Sequence, residues 1–322
     1  MAKLLIFGYS GFVGPYLAKE FLKDNYDVVG SDINEPTFGD LKVEFYKSDL
    51  LNYDEIIKLI NNVKPDMVIN LAAISSVGLS WKVPQKTMEV NVVGALNILE
   101  ASRQLEKKPK VMFIGSSEEY APSDKPLNEN SPLNSNNPYG ISKLTQERYA
   151  ELYRKQYGMK VYCVRPFNHT GIGQKETFVL PSFCKQVAEI EKSGKSGVIK
   201  VGNLEAIRDF SDVRDIVKSY KLIIENDNCE VIYNVGSGKA YSLRELLDYI
   251  ISLSSQKIEV VIDQARYRPI DTPYICCDSS FFKTNLFYSF KYSIFDTLKD
   301  LLSYFKRGGL VWNIWLYQIM LV

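Results

Sequence analysis

The stretch that most limits what this chain can become lies at its start, where Lys3-Leu4-Leu5-Ile6-Phe7 runs into Gly8-Tyr9-Ser10-Gly11-Phe12-Val13-Gly14. An apolar run ending in three glycines spaced by three predicts a buried parallel strand, a tight turn and the N-terminus of a helix. Gly8 lets the chain turn at positive φ, Gly11 lets the backbone approach a pyrophosphate, and Gly14 lets the helix pack closely on the strand. Ser10, Phe12 and Val13 complete this cradle, and the free N–H groups and dipole of the helix start offer an anion the positive end. Pro15 suits the first helical turn, where its missing N–H costs nothing. Such a turn also occurs without a ligand, so its meaning depends on the residues downstream.

Roughly twenty residues on, a dinucleotide-binding unit needs an acid at the end of its second strand. Asp32 stands there, after a strand predicted over residues 26–31. A carboxylate accepts hydrogen bonds from a ribose 2′-OH and repels a 2′-phosphate, which favours NAD(H) as cofactor and leaves NADP(H) open.

The remaining strands and helices come in alternation. Residues 43–46 read as a short strand leading to Asp49 and Leu50, with Asp49 placed either to accept from the adenine amine or to cap a helix beginning at Tyr53. Met67-Val-Ile-Asn70 is a buried strand that stops in Leu71, Ala72 and Ala73, where small side chains leave room for a dinucleotide. Residues 82–105 have helical periodicity, with Asn91 midway. Residues 110–115 form another strand, running into Ser116-Ser117-Glu118-Glu119-Tyr120, and a helix spans Asn137 to Tyr157 before a sixth strand over 160–165. This alternation over residues 1–165 predicts an α/β fold, a doubly wound parallel (Rossmann) sheet binding ligands at the carboxyl ends of its strands. Residues 166–308 alternate less regularly and are expected to form a smaller α/β substrate-binding region, part of it returning to the first domain, with the cleft between them.

Composition narrows the function. At 322 residues, 46% hydrophobic and 24% charged, the chain can bury a core without staples. A net charge of +1 without a dense basic cluster leaves no footprint for nucleic acid, so an anionic ligand must be held by a few placed arginines. Cys163, Cys184, Cys229, Cys276 and Cys277 show no C-x-x-C spacing and read as reduced thiols of a cytoplasmic protein. His169 is the only histidine, which excludes a multi-His metal site; no metal is expected, and His169 reads as structural. The N-terminus lacks the order of a signal peptide. The apolar tail in residues 309–322 is too short to span a bilayer, so no membrane partner is expected; it reads as a docking strand, a surface tether or, preferentially, sequence outside the fold.

Tyr139 and Lys143 are four residues apart on the predicted helix and so share a face. With 21 tyrosines in the chain, roughly two such spacings arise by chance, so position carries the argument. The pair opens the helix after the strand that ends at Ser116, which brings all three groups together above a nicotinamide. Hydride transfer to a carbonyl carbon needs a proton at its oxygen, and a phenol whose pKa is lowered by a nearby ammonium supplies it near neutral pH. Lys143 also reaches the nicotinamide ribose, and Ser116 donates to the developing oxyanion.

Gly8-x-x-Gly11-x-x-Gly14, Asp32, Asp49, Asn70-Leu-Ala-Ala73, Asn91, Ser116 and Tyr139-x-x-x-Lys143 together resemble the extended short-chain dehydrogenase/reductases that act on nucleotide sugars, over nearly the whole chain to about residue 307. Within that family, residues 115–120, 165–174, 178–179 and 201–215 are most similar to the GDP-4-dehydro-6-deoxy-D-mannose reductases, close relatives of the GDP-mannose 4,6-dehydratases. The resemblance implies reduction of the C4 ketone of a GDP-linked 6-deoxy-4-keto sugar to GDP-D-rhamnose by a homodimer or homotetramer. It also implies that Ser117, Asn168, Val179, Lys185, Arg208 and Arg268 lie on the substrate side. Guanidinium forks suit a diphosphate, though either arginine taken singly is as compatible with a surface ion pair. Glu118 aligns with the dehydratase glutamate that removes the C5 proton, so the alternatives are a dehydratase or a related nucleotide-sugar epimerase. Against the dehydratase, Thr170-Gly-Ile-Gly-Gln174 replaces its charged loop; against the usual reductase pattern, Ile172 stands where proline is common.

Overall fold

A computed structural model describes residues 1–37, 41–267 and 272–309. The apolar run at the start is strand β1 (Lys3–Phe7), and the glycine turn delivers the chain into helix α1 (Gly14–Leu22), with a proline in its first turn. Strands β2 (Asp27–Asp32) and β3 (Glu44–Lys47) precede α2 (Tyr53–Val63), then β4 (Met67–Asn70). Asn52, not Asp49, caps α2: it precedes the first helical residue directly and accepts from the Glu55 N–H, while Asp49 accepts from the N–H of Leu51 two residues on.

The single helix expected over 82–105 is in fact broken. The chain forms α3 (Val77–Lys82), α4 (Pro84–Met88), one π-helical turn over Glu89–Val93, and α5 (Gly94–Arg103). Pro84 can open a helix but not continue one. The π-turn carries Asn91, whose fully buried amide exchanges hydrogen bonds with the Ile74 backbone at 2.8 and 3.2 Å and donates to the Ser142 hydroxyl at 2.8 Å. A buried amide must find such partners, and the widened turn carries the residue that does.

Strand β5 (Lys110–Ile114), helix α6 (Pro138–Tyr157) and strand β6 (Val161–Pro166) complete the first six strands. Next come β7 (Asn168–Thr170), α7 (Val179–Ser193), β8 (Gly197–Val201), β9 (Ile207–Asp212), α8 (Val213–Glu225) and β10 (Tyr233–Val235). The chain ends through β11 (Ala240–Ser242), α9 (Leu243–Ser252), β12 (Ile258–Ile262), β13 (Tyr274–Ile275), α10 (Ser280–Leu286) and α11 (Ile294–Lys306).

Seven parallel strands lie in the order β10-β6-β5-β4-β1-β2-β3, a doubly wound sheet whose order reverses between β1 and β4. One face is covered by α1 and α8 through Leu17, Phe21, Ile216 and Tyr220, the other by α2, α5 and α6 through Ile56, Ile60, Ile98 and Ala150. The last strand of this sheet, β10, comes from beyond residue 166. A third core packs α7, α9 and α11 through Phe183, Leu246 and Leu298, beside the short strands β7, β9, β11 and β13. Three aspartates of the 201–215 stretch tie these parts together. Asp209 accepts from the N–H groups of Ser237, Gly238 and Cys277; Asp212 caps α8 and pairs with Arg214 at 2.6 Å; Asp215 accepts from Tyr288 and from the backbone of Lys291 and Tyr292. No helix among the described residues is long and apolar enough to cross a membrane. Arg268 and the tail from 310 to 322 lie outside the described residues.

Candidate active site

The carboxyl ends of the parallel strands carry the glycine turn, Asp32, Asp49, residues 71–73 and the Ser116 turn along one edge of the sheet. Gly8 has φ of +77°, and a Cβ there would meet the Ala72 nitrogen at 2.5 Å. A Cβ on Gly14 would sit 2.0 Å from the Tyr9 carbonyl, so both glycines are imposed by packing. Gly11 is different: it is exposed, and the one contact its Cβ would make is with the Gly8 carbonyl at 3.2 Å. Its backbone therefore presents an open face at the mouth of the turn. No side-chain hydrogen bond caps α1, whereas Asn52 and Asn137 cap α2 and α6. Asp32 closes the cradle from β2, accepting from the Ser10 N–H at 3.1 Å and the Asn34 N–H at 3.0 Å. His169 stacks on Phe12 of the turn with ring centroids 6.2 Å apart.

Ser116 lies just past β5 and caps the 3₁₀ turn Ser117–Glu119, its hydroxyl accepting from the Glu118 N–H. Tyr139 and Lys143 lie on the first turns of α6, both buried. Gly140, next to Tyr139, packs directly on the Glu118 carbonyl of the turn that Ser116 caps, so the Tyr139 phenol comes to the neighbourhood of Ser116, and the Lys143 ammonium lies 6.0 Å from the phenol ring centroid. Ser116, Tyr139 and Lys143 thus lie in one neighbourhood, where α6 packs on the turn after β5. The phenol is not lowered by Lys143 as the sequence led us to expect: burial pushes Tyr139 well above its ordinary range, and Ser116, not Lys143, is what opposes that rise. Burial also pulls Lys143 down to about 8, against the opposing pull of the Glu119 carboxylate.

Asn91 serves this site as a brace: it joins the loop after β4 to Ser142 of α6, and the Ser142 hydroxyl donates to the Tyr139 carbonyl at 2.6 Å. Glu118 accepts from the Asn137 amide at 2.8 Å and, with Ser117, lines a small cavity that also takes in Tyr120, Leu127, Tyr274 and Ile275. Pairing of β13 with β9 sets Arg208 opposite Ile275, and the guanidinium donates to the carbonyls of Ile207 and Pro273. Arg208 is buried. Asn168 lies on β7 opposite Phe210, and Val179 opens α7. Lys185, two turns further along α7, is held by Glu176 at 2.6 Å. Two participants were not singled out from the sequence. Asn137 both caps α6 and holds Glu118, and Glu119 is wholly buried behind Ser116. The signal for Glu119 was present as Ser116-x-x-Glu119, a capping-box spacing.

A doubly wound sheet with a glycine turn at its switch point, and serine, tyrosine and lysine converging beside it, defines the class of the extended short-chain dehydrogenase/reductases. Within that class the chain belongs to the GDP-mannose 4,6-dehydratase family, whose model matches residues 5–301. It is 31% identical over 269 residues to GDP-6-deoxy-D-mannose reductase of Pseudomonas aeruginosa, covering 83% of this chain and 84% of that protein. It is 30% identical over 264 residues to a GDP-mannose 4,6-dehydratase of Vibrio cholerae, covering 77% of this chain and 70% of the relative. Among solved structures, RMD from Pseudomonas aeruginosa complexed with NADPH superposes with a TM-score of 0.84 at 27% identity, over 96% of this chain and 100% of that one. The UDP-glucose 4-epimerase of Thermus thermophilus complexed with NAD gives 0.83 at 25% identity, over 96% and 100%.

Proposed function

We propose that this protein reduces the C4 ketone of GDP-4-dehydro-6-deoxy-D-mannose to GDP-D-rhamnose with NAD(P)H. The observation that carries the reading is the packing of the first turns of α6, with Tyr139 and Lys143, on the turn that Ser116 caps at the carboxyl end of β5, the same end of the sheet as the glycine turn. The choice of a GDP-linked sugar rests on the reductase and dehydratase relatives. The open face of Gly11 and the uncapped start of α1 fit a pyrophosphate, and Asp32 fits a ribose hydroxyl. The nicotinamide, when bound, supplies the hydride. Ser116 and Tyr139 bind the ketone oxygen, and the Tyr139 phenol delivers the proton that oxygen needs as it becomes a hydroxyl. Lys143 holds the ribose and places its charge by the phenol. Arg208 stands on the substrate side for the diphosphate. Asp32 makes NADH the better reductant.

The enzyme is proposed to work in the cytoplasm as a homodimer, paired through the apolar stripe of Ile141, Tyr149 and Leu152 on α6, which is exposed. A second reading, the dehydratase, is favoured by Glu118, whose carboxylate lies beside Ser117 at the cavity. Purified protein given GDP-mannose alone, then the 4-keto sugar with NADH or NADPH, separates the two. The reductase consumes reduced nicotinamide only with the keto sugar. Conversion of GDP-mannose without added nucleotide, together with failure to consume NADH or NADPH on the keto sugar, overturns the reading.

A further inference from the structure

Glu118 has its backbone pinned on two sides and its carboxylate on one. Its N–H donates to the Ser116 hydroxyl at 3.1 Å, and its carbonyl lies against Gly140 of α6, where a Cβ would come within 2.1 Å. The half-buried carboxylate has one side-chain partner among the described residues: Oε2 accepts from Asn137 Nδ2 at 2.8 Å, and Oε1 is left for a ligand. Asn137 is 3% exposed, and its whole amide is engaged. Oδ1 accepts from the Gly140 N–H at 2.9 Å as the cap of α6, and Nδ2 also donates to Asn136 Oδ1 at 3.2 Å. The cap fixes which way the amide points: Oδ1 must face the helix N–H, so Nδ2 must face the carboxylate. One amide thus ties the helix that carries Tyr139 and Lys143 to a carboxylate two residues past Ser116. Capping alone does not ask for this, since serine and aspartate cap as well as asparagine and neither offers an amide N–H. On its other side the carboxylate lines a small cavity with Ser117, Thr272 and Tyr274.

We propose that Asn137 is a positioning residue: its amide aims the Glu118 carboxylate into this cavity as the acceptor for a ring hydroxyl of the sugar, in fixed register with Tyr139. The inference rests on the reading of the Ser116 and Tyr139 edge as a nucleotide-sugar site, and it is the same for either reaction proposed there. A carboxylate accepts from hydroxyls and donates nothing, so a sugar that keeps its ring hydroxyls supplies the missing donor. Held by one N–H and pinned at its backbone, Glu118 meets that donor without first having to be ordered, and the contact turns the ring so that its ketone faces Ser116 and Tyr139.

Asn137→Ser and Asn137→Asp separate the two jobs of the amide. Both keep an oxygen for the Gly140 N–H and both lose the donor, and the aspartate also sets a like charge beside Glu118. The expected melting temperatures stay at the parent value, as do the dissociation constants of NADH and NADPH. In contrast, kcat/KM for the keto sugar falls by about 10-fold in Asn137→Ser, the scale of one hydrogen bond to a charged group, and further in Asn137→Asp. In a Glu118→Ala background the same two substitutions change kcat/KM by less than about twofold, because the carboxylate through which they act is gone. Parent-like kcat/KM in both variants overturns the proposal. So do losses that add to that of Glu118→Ala or that follow the melting temperature, which is what a helix cap alone gives. A parent that consumes no reduced nicotinamide on the keto sugar refutes the reductase reading, and the variants are then read on the dissociation constant of GDP-mannose. A value raised in Asn137→Asp and in Glu118→Ala leaves the inference standing, whereas no binding, or binding unchanged in both, overturns it.

Discussion

At the scale of single residues, proton delivery is proposed for Tyr139 and cofactor choice for Asp32. Tyr139→Phe keeps the ring beneath the Lys143 ammonium and removes the hydroxyl proposed to protonate the ketone. The expected outcome is a kcat lower by about 10²–10⁴-fold with substrate and cofactor binding little changed, measured by steady-state kinetics and equilibrium titration. Asp32 is held in place by two backbone N–H groups, so its charge sits at a fixed point of the cradle. Asp32→Ala removes the repulsion of a 2′-phosphate and narrows the preference for NADH over NADPH, read as the ratio of the two kcat/KM values. An unchanged ratio removes Asp32 from the cofactor argument.

At the scale of elements, the contact between α6 and the 3₁₀ turn sets the catalytic geometry. Gly140 comes directly after Tyr139, and a Cβ there would lie 2.1 Å from both the Glu118 carbonyl and the Ser135 hydroxyl. Gly140→Ala forces the first turn of α6 away from Ser116. It is expected to cost about 1–3 kcal/mol in unfolding free energy and to lower kcat more than it changes KM. The elements legible in the sequence are those with strong local signals. The apolar run before Gly8, the acid at Asp32 and the Asn137-Pro138 start of α6 each specify their own conformation within a few residues. What was missed depends on distant partners. The π-turn at Asn91 answers to Ile74 and to Ser142, 51 positions away, and strands as short as β13, two residues long, have no periodicity to read. Asp49 and Asn52 are both good cap residues; which one caps is decided by where the helix begins. Glu119 reads as solvent-facing in composition, and only the fold shows it buried between β5, β6 and α6.

At the scale of the whole molecule, the proposed homodimer rests on the side of α6 that faces outward. Ile141, Tyr149 and Leu152 fall on one stripe and are 48, 36 and 52% exposed, on the helix whose other face holds Tyr139 and Lys143. Leu152→Glu is expected to halve the molar mass measured by light scattering while leaving the circular dichroism spectrum unchanged; a parent protein already monomeric at micromolar concentration contradicts the interface. The central claim, that Ser116, Tyr139 and Lys143 hold and protonate a C4 ketone while reduced nicotinamide supplies the hydride, is tested most directly by isotope transfer. The protein is incubated with GDP-4-dehydro-6-deoxy-D-mannose and NADH or NADPH carrying deuterium at the transferable C4 position of the nicotinamide, and the product is read by mass spectrometry and NMR. One deuterium at C4 of a GDP-6-deoxyhexose, lost in Tyr139→Phe, is the predicted result. An unlabelled keto sugar recovered intact with either nucleotide, from protein that turns GDP-mannose into that same keto sugar, contradicts it.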